Sequence, residues 1–425
     1  MSNLNRRTFL QSSALVGAGL LARTAAGAAD RPNDRIRIAV MGVRGRGRDL
    51  IKGFAGCSDT EIAALIDVDE RVVPQALKEL APLQKTEPKV EKDLRKVLED
   101  PSITALVVAA PDNWHALATV WACQAGKHVY CEKPASHNLV EGRRMVEAAR
   151  KHNRVVQIGT QRRSGAHFQS AAEFIRAGKL GKVPMAKAWI GGARKSIGHK
   201  ADARVPAGVD YDLWTGPAPS RPFNPNRFHY EWHWDWALGT GEIGNNGIHG
   251  LDVCRWLLNL DAPTRITSGG GKYFYDDDRQ TPDTQVATFD FPGATIVWEH
   301  RIWAPKPTGD TESFGIALYG EKGTLTFDKK GWHVVDGPEA SDTAAEMEKV
   351  HMQNFLDCVR SGNRPNADVE EGHKSTRLCH LGNIAFRTGR ALRFDGATET
   401  FPDDPEANKL LGRACRAPFT MPDNV

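Results

Sequence analysis

Short apolar runs alternate with stretches of helical periodicity through the first third of the chain. The runs are Arg35–Met41 (RIRIAVM), Glu61–Ile66, Thr104–Ala109 (TALVVA), Lys127–Tyr130 and Val155–Ile158. Segments near 46–55, 70–81, 91–99, 113–125 and 137–151 lie between them, with apolar residues at helical spacing. Strands apolar on both faces suit a parallel sheet covered by its crossover helices. The pattern predicts an α/β domain over 34–160, whose ligands would sit at the carboxyl ends of the strands.

The rhythm changes after about residue 165. A helix over 166–177 and a strand over Val183–Ile190 lead into a loop-rich region, 191–247. A helix over 248–259 follows, then strand candidates at 264–274, 284–291, 294–303, 312–319 and 323–328. Consecutive strands of this kind predict a large, open, mostly antiparallel sheet in a second, α+β domain over 161–425. Helices near 343–361 and 368–390 and a Pro-containing tail complete it.

The formal charge of +4, from 56 basic and 52 acidic residues, excludes the strongly basic surface that nucleic acid needs. The seven Cys (57, 123, 131, 254, 358, 379, 415) never form a C-x-x-C pair, which argues against a disulfide framework or zinc knuckle. Residues 1–28 read as an address: a twin-arginine pattern at Asn5–Leu10, a weakly apolar run at 12–22, and a small-residue cleavage site at Ala26-Gly27-Ala28. They predict export to the periplasm or beyond. The apolar run is too short to span a bilayer, and no later segment approaches that length.

Three constellations carry chemistry. Gly42-Val43-Arg44-Gly45-Arg46-Gly47 follows the first strand, where a glycine turn lets backbone N–H groups and a helix N-terminus approach a pyrophosphate. Arg44 stands where the usual fingerprint has its second glycine. Asp67 ends the second strand, placed for an adenosine ribose, and would repel a 2′-phosphate. That favours NAD, although Arg44, Arg46 and Arg71 offset the repulsion and leave NADP possible. The second constellation pairs Pro111-Asp112-Asn113-Trp114-His115 with Cys131-Glu132-Lys133-Pro134, both at sheet carboxyl ends. The Lys133 ammonium there can hold a substrate oxygen.

The third is the stretch Asp210–Trp256. Trp232, Trp234 and Trp236 alternate with His233 and Asp235, which fits either a strand with an aromatic core face or a sugar platform. His229 and His233 lie four apart but lack a closing Cys/His pair, so no metal is expected. His249 follows a Gly-rich turn and opens an apolar helix, with Asn245 and Asp252 within a turn to orient its ring.

In this order, these pieces resemble the Gfo/Idh/MocA family of sugar oxidoreductases. The resemblance rests on the Gly42–Gly47 turn, Asp67, Pro111-Asp112-x-x-His115, Ala125-Gly126-Lys127…Glu132-Lys133-Pro134 and Gly247-x-His249-x-x-Asp252. It extends to Asn354–Cys358 and Arg364-Pro365, and so covers nearly the whole chain after the leader. It implies a Rossmann domain, NAD(P)-linked chemistry on a carbohydrate hydroxyl, and a dimer or tetramer. The cofactor set it implies is Gly42, Arg44, Gly45, Arg46, Gly47, Asp67, Pro111, Asn113, His115, Glu132, Lys133 and Gln161. Lys133 and His249 match the family's catalytic pair, and Asn245 stands where the family often has Asp.

The mechanism expected from this set is hydride transfer from a carbinol C–H of a sugar or glycoside. His249 takes the hydroxyl proton, and Lys133 polarises the emerging carbonyl. Arg163, Trp232, His233, Asp235, Asn245 and His249 are the expected substrate contacts. Export predicts a tightly retained NAD, because free NAD is scarce outside the cytoplasm. Two other activities stay open at this point: a redox-neutral glycosidase working by oxidation, elimination, hydration and re-reduction, and a periplasmic carbohydrate-binding protein.

Overall fold

The apolar run after Arg35 forms β1 (Ile36–Met41), buried on both faces, and every expected strand of the first sheet follows it. In order come α1 (Arg46–Ala55), β2 (Thr60–Ile66), α2 (Val73–Leu80), β3 (Lys89–Glu91), α3 (Leu94–Leu98) and β4 (Ala105–Val108). Next are α4 (Asp112–Gln124), β5 (His128–Cys131), α5 (Leu139–Lys151) and β6 (Val156–Ile158). The sheet has the order β3-β2-β1-β4-β5-β6, and every pair in it is parallel. The chain reverses direction across the sheet between β1 and β4, which opens a crevice beyond their carboxyl ends. The computed structural model describes residues 35–192, 194–304, 313–328, 331–340 and 346–425, so the twin-arginine leader lies outside the described residues.

The second sheet is built from β7 (Met185–Gly191), β8 (Arg265–Gly271), β9 (Thr284–Phe291), β10 (Ala294–Arg301) and β11 (Phe314–Gly320). Shorter strands extend it: β12 (Gly323–Phe327), β13 (Trp332–Val334), β14 (Glu339–Ala340) and β15 (Leu392–Arg393). Its order is β14-β13-β12-β11-β7-β10-β9-β8-β15. All pairs are antiparallel except β7 with β10, so the sheet is mixed and mostly antiparallel. Alternation in β9 turns Ala287, Phe289 and Phe291 onto a core, while Val286 on the other face is exposed.

Four longer helices belong to this half of the chain: α6 (Ala166–Arg176), α8 (Ile248–Leu257), α9 (Met347–Ser361) and α10 (Val369–Thr388); the short α7 (Tyr211–Thr215) precedes α8 and α11 (Pro405–Asn408) follows α10. Leu251, Cys254 and Leu257 of α8 and Leu378, Leu381 and Ile384 of α10 pack under β9 and β10 in one core. Helix α9 instead returns to the first sheet, where Met352, Phe355 and Leu356 join Phe54 and Tyr130. Ile36–Val425 thus packs as one unit. Among the described residues, no helix is long and apolar enough to cross a membrane.

The stretch with alternating Trp is not a strand. His229–Trp234 forms a 3₁₀ helix, entered through His229 at a left-handed φ of 50°. Trp234 is buried, and Trp232 packs beside the small core of Trp214, Phe223 and Phe228.

Candidate functional site

A crevice of about 430 Å³ opens at the carboxyl ends of β1, β2, β4 and β5 and is closed from the other side by residues 213–249. On the first sheet, the glycine turn forms its floor. Gly42 has φ +85°, and a Cβ there would lie 2.6 Å from the Ala109 carbonyl oxygen. A Cβ on Gly47 would lie 1.7 Å from the Gly42 oxygen, so Gly47 lets α1 close onto the turn rather than facing the crevice. Gly45 precedes α1 and borders the crevice, and a Cβ there would meet nothing within 4 Å. This open cradle at a helix N-terminus fits a dinucleotide pyrophosphate.

Asp67 faces the crevice just after β2. Its oxygens accept the Val43 N–H at 2.8 Å and the Asp69 N–H at 2.9 Å. Burial pushes its pKa up, and the two backbone bonds oppose the rise. Of the three nearby arginines, Arg71 is held by Asp69 at 2.7 Å. Arg46 is held by Glu132 and Glu348, each at 2.7 Å. Only Arg44 borders the crevice without an ion pair among the described residues.

Pro111 precedes α4 at the crevice wall. Both His115 ring nitrogens meet carbonyl oxygens, Pro134 at 2.6 Å and Ala110 at 2.9 Å, so this side chain braces the Glu132-Lys133-Pro134 turn against the end of β4. Gln161 lines the crevice and donates to Glu348 at 3.0 Å. Asn113 does not reach the crevice. It is buried with its amide on the Thr215 carbonyl at 2.9 Å, where it ties α4 to the loop region.

Lys133 and His249, from the two sheets' separate territories, border the same crevice. The Lys133 amine donates to the Asn245 main-chain oxygen at 2.6 Å and to its Oδ1 at 3.2 Å. Burial holds Lys133 below the ordinary lysine range, against the pull of Glu132, Asp112 and Glu242. Burial, reinforced by Lys133, Arg162 and Arg46, holds His249 well below the ordinary histidine range. Its Nδ1 is buried and has no partner among the described residues.

Trp232 and His233 line the crevice as expected, their rings stacked with centroids 3.6 Å apart. His233 donates from Nδ1 to the Tyr230 oxygen at 2.6 Å, and burial pushes its pKa down to about 3. His229 also borders the crevice, and it reaches Asp69 at 3.0 Å, which pins this aromatic segment to the first sheet. Among the described residues, no group of His, Cys, Asp and Glu could hold a metal.

Two expected substrate contacts lie elsewhere. Arg163 is buried in an ion pair with Asp252, Nη2 to Oδ1 at 2.8 Å, with Glu371 at 3.3 Å. Asp252 therefore serves Arg163 rather than the His249 ring, and Ser375 also donates to it at 2.6 Å. Asp235 is spent on Arg221 at 2.7 Å. Conversely, Asp112, Trp214, Tyr230 and Glu348 line the crevice unforeseen. Trp214 and Tyr230 fall in the aromatic stretch already singled out. Nothing in the local sequence marks Glu348, which α9 brings back from the far end of the chain.

The parallel sheet, its glycine cradle and the two-sided crevice define a two-domain pyridine-nucleotide oxidoreductase fold. Residues 36–160 match the oxidoreductase family, NAD-binding Rossmann fold. Residues 218–326 match the GFO/IDH/MocA C-terminal domain, and 309–421 the oxidoreductase family, C-terminal alpha/beta domain. The scyllo-inositol 2-dehydrogenase (NAD(+)) of Bacillus subtilis is 32% identical over 320 residues, 72% of this chain and 82% of that one. The chain belongs to the Gfo/Idh/MocA oxidoreductase family, whose members include inositol and sugar dehydrogenases.

The chain spans less than two thirds of the length of several other curated relatives that it matches. The myo-inositol 2-dehydrogenase of Thermotoga maritima is 31% identical over 147 residues, 35% of this chain and 42% of its own. Among solved structures, the aldose-aldose oxidoreductase of Caulobacter crescentus, complexed with glycerol, superposes with a TM-score of 0.66 at 20% identity, covering 85% of this chain and 100% of that one. The WlbA dehydrogenase of Bordetella pertussis, in complex with NADH and UDP-GlcNAcA, gives 0.64 at 20% identity, covering 85% and 99%.

Proposed function

We propose that the protein oxidises a ring hydroxyl of a sugar or cyclic polyol, using an NAD that it retains tightly. The observation that carries this reading is the convergence of Lys133 and His249 on one crevice with the glycine cradle and Asp67. Gly42, Gly45, the first turn of α1 and Asp67 would hold the dinucleotide, with Glu132 and Gln161 farther along the same wall. When bound, the nicotinamide accepts the hydride of a carbinol C–H. Lys133 and His249 bind the hydroxyl of that carbinol and manage its proton. Trp232 offers an apolar face to the C–H side of a ring, and His233 and Asn245 flank it with polar groups. Asp67 supports NAD over NADP, since a 2′-phosphate would meet a half-buried carboxylate already braced by two N–H groups. The Arg6-Arg7 leader supports export, and export in turn supports a cofactor that does not leave between cycles.

The test is to purify the full chain, release and identify any bound nucleotide, and then add inositols, aldoses and glycosides without supplementary NAD. The expected result is co-purified NAD whose near-ultraviolet absorbance rises as a keto product forms. A chain that neither carries nor binds NAD, and reduces none with any polyol, would overturn the reading.

A further inference from the structure

The loop-rich segment after β7 crosses the crevice between two sets of fastenings. On the β2 side, Val209 pairs with Asp69 in an antiparallel bridge. Beside it, the Glu70 N–H donates to the Gly208 oxygen at 3.0 Å and the Asp210 N–H to the Val68 oxygen at 2.8 Å. On the β4 side, the first turn of α4 donates to α7, from Asn113 Nδ2 to the Thr215 oxygen at 2.9 Å and from Trp114 Nε1 to the Leu213 oxygen at 3.0 Å. Gly216 lies so close to Trp114 that a Cβ would fall 2.4 Å from its ring. Asp67 and Val68 border the crevice near the first fastening, Trp114 borders it at the second, and Leu213 and Trp214 border it between them. Residues 209–215 therefore bridge the crevice beside Asp67, the carboxylate assigned to the adenosine ribose.

The chain then returns to the β2 side. His229 Nε2 meets Asp69 Oδ2 at 3.0 Å, and the rings of His229 and Trp214 lie edge to face with centroids 5.9 Å apart. Asp69 is buried and held by Arg71 at 2.7 Å on each of its oxygens, so it is a rigid post for that contact. Burial, with Arg44 and Arg71 opposing Asp69, pulls the His229 pKa down to about 4, so at neutral pH an uncharged ring offers one N–H to a carboxylate. Behind it, Trp214, Phe223 and Phe228 form a small core on which Val68 and Val209 pack. A cover tied by backbone pairs and its own core is not a hinged lid. It opens by local unfolding, which each added fastening makes rarer.

We propose that residues 209–229 are a fixed strap over the adenosine half of the crevice, and that His229 is the positioning residue whose hold on Asp69 sets how slowly NAD leaves. This rests on the NAD reading above and supplies a device for the retention proposed there. Among the described residues, His229 makes the one polar fastening on the β2 side that comes from a side chain of the strap; the others run through backbone. Opening on that side must break it, and a hydrogen bond to a charged group slows such an opening about tenfold or more.

Release is read without turnover. The full chain is loaded with radiolabelled NAD, freed of the excess, and chased with unlabelled NAD. His229→Ala should release the label at least about tenfold faster than wild type. Its melting temperature without nucleotide should stay near that of wild type, because alanine keeps the Cβ that bears the cost of the left-handed φ. His229→Gln, whose amide N–H reaches about as far as Nε2, should restore slow release. Equal rates in wild type and His229→Ala, or an acceleration that His229→Gln shares, overturns the strap and leaves NAD binding standing. A wild-type chain that takes up no label at all overturns the dehydrogenase reading, and the strap with it.

Discussion

The Val43 backbone N–H donates to Asp67 Oδ2 at 2.8 Å, joining the glycine turn after β1 to the end of β2. One carboxylate thereby shapes the loop beneath a pyrophosphate and faces the place of an adenosine ribose. Removing it affects NAD twice, through the turn and through the ribose. It affects NADP less, because the repulsion of a 2′-phosphate disappears as well. Asp67→Ala should weaken NAD by about tenfold or more, in line with a lost hydrogen bond to a charged group, while NADP holds or gains. Calorimetric titration of both nucleotides measures this, and equal losses for the two would remove Asp67 from the selectivity argument.

Two glycines of the same turn should respond oppositely to the same added methyl. A Cβ on Gly47 lands 1.7 Å from the Gly42 oxygen, so Gly47→Ala must part α1 from the turn and should lower the melting temperature. A Cβ on Gly45 meets no protein atom within 4 Å, so Gly45→Ala should melt like wild type yet bind NAD at least about tenfold more weakly, since its methyl occupies the ligand's space. Thermal melts with and without nucleotide separate the cases. A Gly45→Ala chain with full affinity would mean that the cradle is not where the cofactor sits.

The first sheet was legible because buried parallel strands are continuous apolar runs, and Ile36–Met41 or Ala105–Val108 could be little else. Strand β3 escaped because Lys89-Val90-Glu91 is a short, exposed edge whose only partner is β2. The Trp232–Trp236 alternation has strand period, but period alone does not make a strand, and the chain enters a 3₁₀ helix through the left-handed His229. The residues at the crevice floor were legible for a related reason: Gly42 and Asp67 directly follow a strand, and Lys133 comes two residues after one. Arg163 and Asp252 were not, because a pairing across two separate helical segments leaves no mark on either local sequence.

That pairing gives a clear expectation. Arg163 is nearly inaccessible and makes three hydrogen bonds to Asp252, at 2.8–3.0 Å. Arg163→Met keeps much of the apolar stem but leaves a buried carboxylate whose remaining hydrogen bond comes from Ser375, with Arg162 and Arg255 as the nearby cations. Breaking one side of such a pair typically costs about 3–5 kcal/mol, and urea unfolding of the variant should show a loss of that order. A substrate-binding Arg163 would behave differently, raising KM while leaving the unfolding midpoint in place.

Asp112 supplies a test in pH. It is buried at the start of α4 with Oδ2 accepting from the Thr240 hydroxyl at 2.7 Å, and its Oδ1 has no partner among the described residues. Burial, opposed by Thr240 and the cations Lys133 and Arg413, raises its pKa to about 7 from an ordinary value of 3.8. A folded-state pKa above the unfolded one means that the folded chain holds the proton more tightly. The resulting stabilisation is complete below about pH 4 and drains away as the pH rises through about 7. Asp112→Asn keeps an oxygen for Thr240 and cannot ionise, so it should lack this loss. Melting temperatures of both chains between about pH 5 and about pH 8 isolate the effect, because the buried histidines contribute equally to each. Wild type should fall relative to the variant as the pH rises. A constant gap would show that the Asp112 carboxylate is stably charged across the range and that Lys133 has a permanent counter-ion beside it.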